Sequence, residues 1–124
     1  VEERLGPIDI WISDAMTSVF APMQAITPQE FRRLTEVTLP RICIPHSRGT
    51  RAYDAAGPRI VIQVSSNLSH RSIPLQSAYC AASMLLKGFT NSLRSELIHD
   101  GRRVRVTMVQ LPAINTPQFD WART

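Results

Sequence analysis

The sequence predicts a single α/β domain in which three parallel strands alternate with two helices in β-α-β-α-β order. Strand-like and helix-like segments alternate along all 124 residues, which is typical of βαβ units joined by right-handed crossovers. Residues 60–64 form a continuous, mostly β-branched run, as expected of a buried strand. Residues 75–99 repeat apolar side chains at helical spacing, with Leu85 and Leu86 among them. We therefore expect one domain over residues 1–124.

The first strand and the first helix are predicted from local signals near the start of the chain. Isoleucines at alternate positions of residues 8–12 indicate a short apolar strand after a Gly-Pro turn. Thr27 is a helix N-cap, proline follows at the first helical position, and Glu30 completes a capping box. Pro40 ends this helix near residue 39, because proline lacks a backbone donor and clashes with the preceding turn.

Of the remaining segments, residues 40–58 give no clear prediction, whereas the second helix and the third strand are well marked. Residues 40–58 contain prolines and glycines with neither a helical nor a strand period, so either a broken helix survives at 48–56 or the region is mobile. The long helix at 75–99 is followed by Gly101, which is typical of a helix C-terminus. Apolar residues at 104–109 then predict the third strand, which Pro112 ends.

Composition excludes several classes of function. The net charge is +4 and the pI is about 9.8, but the arginines are scattered and the one tight group (Arg102, Arg103, Arg105) has no interleaved aromatic residue. We therefore expect no nucleic-acid partner. Cys43 and Cys80 are isolated, which argues against a zinc site or a redox pair. No apolar run approaches the roughly 20 residues of a membrane span and no signal peptide is apparent, so we expect a cytoplasmic protein.

Six segments, in order and at similar spacing, resemble the short-chain dehydrogenase/reductase family. They are GPIDIWISDA (6–15), TPQEFRRLTEVT (27–38), IVIQVSS (60–66), SAYCAAS (77–83), GFTNSLRSEL (88–97) and VRVTMVQLPAINTP (104–117). The resemblance implies the second half of a Rossmann-like, doubly wound parallel sheet. It also implies hydride transfer between NAD or NADP and a small carbonyl or alcohol substrate.

The catalytic spacing of that family is only partly present. Ser66 lies thirteen residues before Tyr79, and the resemblance gives Ser66 a hydrogen bond to the substrate oxygen and Tyr79 the proton transfer. The family lysine would be four residues after the tyrosine, where this chain has Ser83. A tyrosine hydroxyl ordinarily has a pKa of about 10 and needs a nearby cation to act as a base at neutral pH. Thr38 stands where the family has an asparagine that helps to hold a proton-relay water.

Lys87 is the one substitute cation to consider. It lies one further turn along the same helical stripe, and four residues of helix rise about 6 Å. Its side chain would have to fold back to reach the tyrosine. The other interpretation is a solvated basic residue on a helix.

The resemblance also locates cofactor contacts, but only part of a cofactor site. The family's first three strands and its Gly-x-x-x-Gly-x-Gly loop, whose amides hold the pyrophosphate, have no counterpart in this sequence. We therefore expect the chain alone to bind neither NAD nor NADP and to be inactive. By resemblance, five residues fall at cofactor-contacting positions: Ser13, Asp14, Ala15, Pro112 and Thr116.

The sequence is compatible with two functional interpretations. The chain is either part of a dehydrogenase, or a non-catalytic interaction or oligomerisation module derived from that fold. In the family the helices that match 28–39 and 77–99 pack against a second subunit, and Ala78, Ala81 and Ala82 would permit close approach. We therefore expect a homo-oligomer through the 77–99 helix. A purely structural role is the alternative for Ser66, as a loop cap, and for Tyr79, as a half-buried helix residue.

Overall fold

The fold is a three-stranded parallel sheet with helices between its strands. The computed structural model describes residues 2–39, 60–115 and 117. The strands lie in the order β1-β2-β3 and both pairs are parallel, which confirms the predicted α/β class. The region 40–58 lies outside the described residues. The elements are α1 (Glu2–Leu5), β1 (Ile10–Ser13), α2 (Pro28–Thr38), β2 (Ile60–Ser66), α3 (Ser77–His99) and β3 (Arg105–Leu111), with 3₁₀ turns at Met23–Ala25 and Asn67–Ser69.

The start of α2 has the predicted capping box. The Glu30 N–H donates to Thr27 Oγ1 at 3.2 Å, and the Thr27 N–H donates to Glu30 Oε2 at 2.9 Å. These bonds satisfy two backbone donors at the helix N-terminus. The last helical residue is Thr38, in agreement with the predicted end near residue 39.

The end of α3 is a Schellman motif. Gly101 adopts a left-handed backbone with φ of +64°. Its N–H donates to the Ile98 carbonyl at 3.1 Å, and the Arg102 N–H donates to the Leu97 carbonyl at 2.9 Å. This is the 5→2 and 6→1 pair of bonds that defines the motif, so Gly101 ends the helix as the sequence predicts.

The core is built around α3, which packs on the sheet with one stripe and on α2 with another. Val61 of β2 and Val106 of β3 pack against α3 residues Leu93 and Leu97. On the α2 side, fully buried Leu34 contacts two small residues of α3, Ala78 and Ala82. Helical periodicity also placed Leu85 on the apolar stripe, but Leu85 is 49% exposed because it lies beyond both contact surfaces.

One face of the sheet is much more exposed than the other. Ile10 and Ile12 of β1 are 54% and 62% exposed, whereas Trp11 between them packs into the core. In β2 the alternate residues Val61 and Gln63 are buried and their neighbours are half-buried. The predicted strand at 60–64 is present, but it is fully buried only on the face that α3 covers, because successive side chains of a strand point to opposite faces.

Candidate active site

A pocket of about 450 Å³ lies at the carboxyl ends of the three strands. Because the strands are parallel, the segments that follow them meet at one edge of the sheet, where open α/β folds bind ligands. Ser13 is the last residue of β1, is buried against β2 and does not line the pocket. Thr116 lies outside the described residues. The pocket brings together the other seven residues singled out from the sequence: Asp14, Ala15, Thr38, Ser66, Tyr79, Ser83 and Pro112.

Ser66 has both a structural and a potential functional role. It is the last residue of β2, and its Oγ accepts a hydrogen bond from the Leu68 N–H at 3.1 Å. This bond caps the 3₁₀ turn that follows the strand, which was the structural alternative for this residue. A serine hydroxyl is also a donor, so the cap fixes the orientation of Oγ and leaves its proton available to a ligand in the pocket.

Tyr79 and Ser83 lie one helical turn apart on the face of α3 that lines the pocket. The Tyr79 ring is half-buried and packs against the cluster of Leu34, Ala78 and Ala82. Its hydroxyl has no hydrogen bond within the described part of the chain. Ser83 is only 5% exposed. The position where the family has a cation is therefore buried, close to the tyrosine along the helix, and uncharged.

Lys87 is engaged outside the pocket. Its Nζ lies 2.9 Å from Nδ1 of His70, and Nε2 of His70 lies 2.5 Å from Oε1 of Gln110. Since an ammonium only donates, Nδ1 accepts and Nε2 donates to Gln110. Gln110 in turn donates to Oγ of Ser69 at 3.0 Å. This chain of bonds ties the turn after β2 to the end of β3, and neither Lys87 nor His70 lines the pocket.

The opposite wall is formed by the loop after β1. Its backbone is held to the entry of α3 by the Ala21 N–H, which donates to the Leu75 carbonyl at 3.0 Å, and Ser18 Oγ lies 3.5 Å from Gln76 Oε1. Leu75 has a φ of +65°, a left-handed conformation that costs a non-glycine residue about 1–2 kcal/mol. Strained residues of this kind concentrate at functional sites. Thr38 contributes little polarity, because its hydroxyl donates to the Leu34 carbonyl at 2.9 Å.

Most of the pocket wall is apolar, and sequence reasoning missed these residues. Apart from Leu86 on α3, they come from loops and from strand ends, and neither the helical nor the strand period marks them as pocket residues. The residues are Met16, Phe20, Val64, Leu68, Ile73, Leu86, Leu111, Ala113 and Ile114.

Among the residues that the structure describes, two buried polar side chains on β2 have no hydrogen-bond partner. They are the carboxamide of Gln63, which is completely buried, and the hydroxyl of Ser65, which belongs to a pocket-lining residue. An unpaired buried polar group costs roughly 1–3 kcal/mol, so packing alone does not explain these residues. The unpaired polar groups lie immediately before Ser66, at the carboxyl end of the central strand.

The described residues do not fit the pyrophosphate of a nicotinamide cofactor. A phosphate cradle needs glycines where the backbone approaches the ligand closely, but none of Gly6, Gly88 and Gly101 is among the described residues that line the pocket. No lysine, arginine or histidine is among the described residues that line the pocket, and Asp14 adds a carboxylate. Asp14, Ala15 and Pro112 lie at the strand ends where the resemblance places cofactor contacts, with Asp14 and Ala15 in the turn that approaches the adenosine ribose.

The parallel sheet, with its pocket at the carboxyl edge and a serine and a tyrosine within it, defines a Rossmann-like α/β protein. The family model for short chain dehydrogenases matches residues 1–123. The chain belongs to the short-chain dehydrogenase family, which confirms the resemblance inferred from the sequence motifs.

Individual relatives are similar to this chain at modest identity. It is 28% identical over 120 residues to an uncharacterized oxidoreductase of Bacillus subtilis, covering 96% of this chain and 34% of the relative. It is 27% identical over 121 residues to human L-xylulose reductase, covering 95% and 49% respectively. The chain therefore spans half or less of the length of these relatives.

Solved structures show the same fold. An alcohol dehydrogenase from Thermococcus sibiricus, complexed with 5-hydroxy-NADP, aligns with a TM-score of 0.74 at 20% identity, covering 99% of this chain and 50% of that protein. A short-chain dehydrogenase from Streptomyces avermitilis aligns with a TM-score of 0.78 at 22% identity, covering 96% and 43%. In both cases the matched region is about half of the larger structure.

Within the described residues, no three or more His, Cys, Asp or Glu side chains are grouped so that they could hold a metal ion. None of the described helices combines the length and apolarity that a membrane crossing needs. Cys80 is a buried free thiol, and Cys43 is not among the described residues.

Proposed function

We propose that this chain is the substrate-binding part of an NAD(P)-dependent short-chain oxidoreductase, and that by itself it does not catalyse hydride transfer. The observation that carries the proposal is the common pocket of Ser66 and Tyr79, in which Ser83 takes the place of the family lysine. Membership of the family and the NADP ligands of structural neighbours support the reaction class.

The proposed inactivity follows from two independent deficits. First, Tyr79 has no cation one turn away, and the nearest candidate on its helix, Lys87, is bonded to His70. General-base catalysis typically contributes 10²–10⁴-fold in rate. Second, the described residues do not fit the cofactor pyrophosphate, and hydride transfer depends on a positioned donor. Deficits in proton transfer and in positioning multiply, so repair of either one alone restores little activity.

Isothermal titration with NAD⁺ and NADP⁺ tests the cofactor part of this proposal. We expect no saturable binding tighter than about 100 μM, which corresponds to roughly 5.5 kcal/mol. The metagenomic short-chain oxidoreductase whose structure was solved in complex with NADP, titrated with NADP⁺ in the same buffer, provides the control for cofactor quality. Tighter binding to this chain would contradict the proposal and would require a phosphate site that the described residues do not provide.

The alternative function is an interaction or oligomerisation module, and surface exposure favours it. On α3, Met84 and Leu85 are 42% and 49% exposed, and on the sheet Ile10 and Ile12 are more than half exposed. The small residues Ala78 and Ala82, expected to admit a second subunit, instead pack against Leu34 of α2. A homo-oligomer through α3 would therefore use the large exposed side chains.

Light scattering during size-exclusion chromatography tests this alternative. A charge placed in an apolar interface is costly to desolvate, so Leu85→Glu should shift an oligomer to smaller species. Ser95→Glu adds the same charge at an exposed position of the same helix and should leave the mass unchanged. Equal masses for parent, L85E and S95E would exclude the α3 surface around Leu85 as the interface.

A further inference from the structure

We propose that Lys87 is an acyl-accepting residue, with His70 as its base, and that it forms an amide with small thioesters. The site lies outside the pocket. It goes beyond the proposed function, since it needs neither a cofactor nor hydride transfer. Lys87 is the only lysine among the 124 residues, in a chain whose other Lys and Arg positions are all arginine. Amide formation on amines can therefore occur only here and at the α-amino group.

The partner of Lys87 is a base and not a carboxylate. Nζ of Lys87 lies 2.9 Å from Nδ1 of His70, within the usual distance between a nucleophile and its base. Among the residues that the structure describes, no carboxylate forms an ion pair with Lys87. A carboxylate would stabilise the ammonium form, whereas a neutral imidazole can accept its proton. The contact with His70 therefore gives the ammonium a route to lose its proton during a reaction.

Two further side chains fix the orientation of the imidazole. The amide nitrogen of Gln110 donates to Oγ of Ser69 at 3.0 Å and lies 3.6 Å from the sulfur of Met108. The carboxamide oxygen therefore faces His70, where it lies 2.5 Å from Nε2. Because Nε2 donates to this oxygen, the lone pair of Nδ1 is left for Lys87. Ser69 is 4% exposed, so one end of this hydrogen-bond chain is anchored in the protein while the amine lies at the surface.

An amine, an imidazole and an orienting acceptor, bonded in that order, form the general arrangement of an activated nucleophile. The fold assembles it from three elements: Lys87 lies on α3, His70 follows the 3₁₀ turn after β2, and Gln110 lies in β3. The three residues are thus held by separate parts of the chain. A lysine that was merely solvated on its helix would need none of these partners.

The chemistry of the site favours a thioester as the acyl donor. No carboxyl group is hydrogen-bonded to Lys87 or His70 among the described residues, so the leaving group has to depart without protonation by a carboxylic acid. A thiol has a pKa of about 8.5, and a thiolate therefore departs readily at neutral pH. The alkoxide of an ordinary ester is far more basic and does not. An aldehyde would require the acid-assisted loss of water.

The reaction balances without an oxidant or a reductant. Nδ1 of His70 takes one proton from the ammonium of Lys87 and passes it to solvent. The free amine attacks the carbonyl carbon, a C–N bond forms, and the C–S bond breaks with its electron pair on sulfur. Nδ1 then takes the second proton from the nitrogen and delivers it to the thiolate. The products are an amide at Lys87, a free thiol and one proton in solution.

Incubation of the 124-residue chain with S-acetyl-N-acetylcysteamine, a small uncharged thioester, tests the proposal. Hydroxylamine removes acetyl groups from cysteine and hydroxyl side chains, and peptide mass spectrometry then gives the ratio of acetylated Lys87 to acetylated α-amino group. His70→Asn keeps an acceptor near the place of Nδ1 but cannot take up a proton. General bases typically contribute 10²–10⁴-fold, and for this exposed pair we expect the ratio to fall about tenfold or more in H70N.

Matched variants separate the role of the base from general effects on the surface. His99→Asn removes an exposed imidazole from the end of the same helix and should leave the ratio as in the parent. Lys87→Arg keeps the positive charge but should give no amide at this position. Gln110→Ala removes the orienting acceptor and should lower the ratio about 3- to 10-fold, the range for one hydrogen bond. Gln110→Glu still accepts from Nε2 and should retain the parent ratio.

Two results would overturn the proposal: the same ratio in the parent and in H70N, or an equal fall in H99N. Circular dichroism confirms that each variant is folded. If H70N does not fold, the comparison of Q110A with Q110E decides instead, and equal ratios in the two would refute activation through His70. Because no nicotinamide cofactor takes part, the result is independent of the proposed oxidoreductase function.

Discussion

Two glycine-to-alanine substitutions on α3 should change stability in opposite directions. Gly88 lies in the interior of the helix and Gly101 lies just beyond its end, with a φ of +64°. A Cβ added at either position would meet no atom within 4 Å. Steric clash is therefore excluded at both sites, and backbone conformation alone decides the sign. Because α3 carries Tyr79 and Ser83, its stability also bears on the pocket.

The magnitudes follow from helical and left-handed backbone energetics. Gly88→Ala replaces a helical glycine with the best helix former and should stabilise the chain by about 0.5–1 kcal/mol. Gly101→Ala forces an L-residue into the left-handed region, at a cost of about 1–2 kcal/mol. It also strains the Schellman bonds from Gly101 and Arg102 to Ile98 and Leu97. The two variants should differ by roughly 1.5–3 kcal/mol.

Urea unfolding followed by far-ultraviolet circular dichroism provides the assay. Parent and both variants are compared at the same low protein concentration, since association would otherwise contribute to apparent stability. We expect the midpoint of G88A above that of the parent and the midpoint of G101A below it, with equal slopes. A G101A midpoint at or above that of the parent would refute the assignment of the helix end to Gly101, and a G88A midpoint below the parent would refute the reasoning for Gly88.

Three further predictions concern the site, the first helix and the assembly. Ser83→Lys in this chain alone should give no NAD(P)H oxidation with carbonyl substrates, because the positioned cofactor is still required; measurable turnover would show a more complete cofactor site. Thr27→Ala should lower the free energy of unfolding by about 1 kcal/mol through loss of the capping box, whereas Thr107→Ala, on the exposed strand β3, should not affect α2. The chain should self-associate or unfold with low cooperativity because of its exposed apolar sheet face; a monomer melting cooperatively above about 60 °C would contradict this.

Sequence patterns correctly predicted the features that depend on interactions between residues close together in the chain. The capping box at Thr27 and Glu30 predicts the start of α2, because the bonds that define it join residues three apart. Gly101 likewise predicts the end of α3. The alternation of strands and helices predicts a parallel sheet, because a crossover helix is the ordinary way to connect parallel strands.

Long-range contacts decided the features that the patterns predicted wrongly. Helical spacing placed Leu85 among the buried positions, although it is exposed. Periodicity shows which side of a helix is apolar, but the width of the buried stripe depends on how many other elements pack against the helix. The strand at 60–64 was expected to be buried, but its side chains are fully buried only on the face that α3 covers and half-buried on the other.

At the candidate site, too, some features follow from the sequence and others depend on long-range contacts. The sequence alone determined which residue types stand at which spacing: Ser66, Tyr79, and a serine at 83 in place of a lysine. Only the tertiary structure decided that Asp14, Thr38 and Pro112, far apart in the chain, line the same pocket, because parallel pairing brings the ends of all three strands to one edge. It also decided that Lys87 bonds His70 rather than the pocket. The sequence determines whether a side chain carries a charge, but the packing of the folded chain determines which group that side chain contacts.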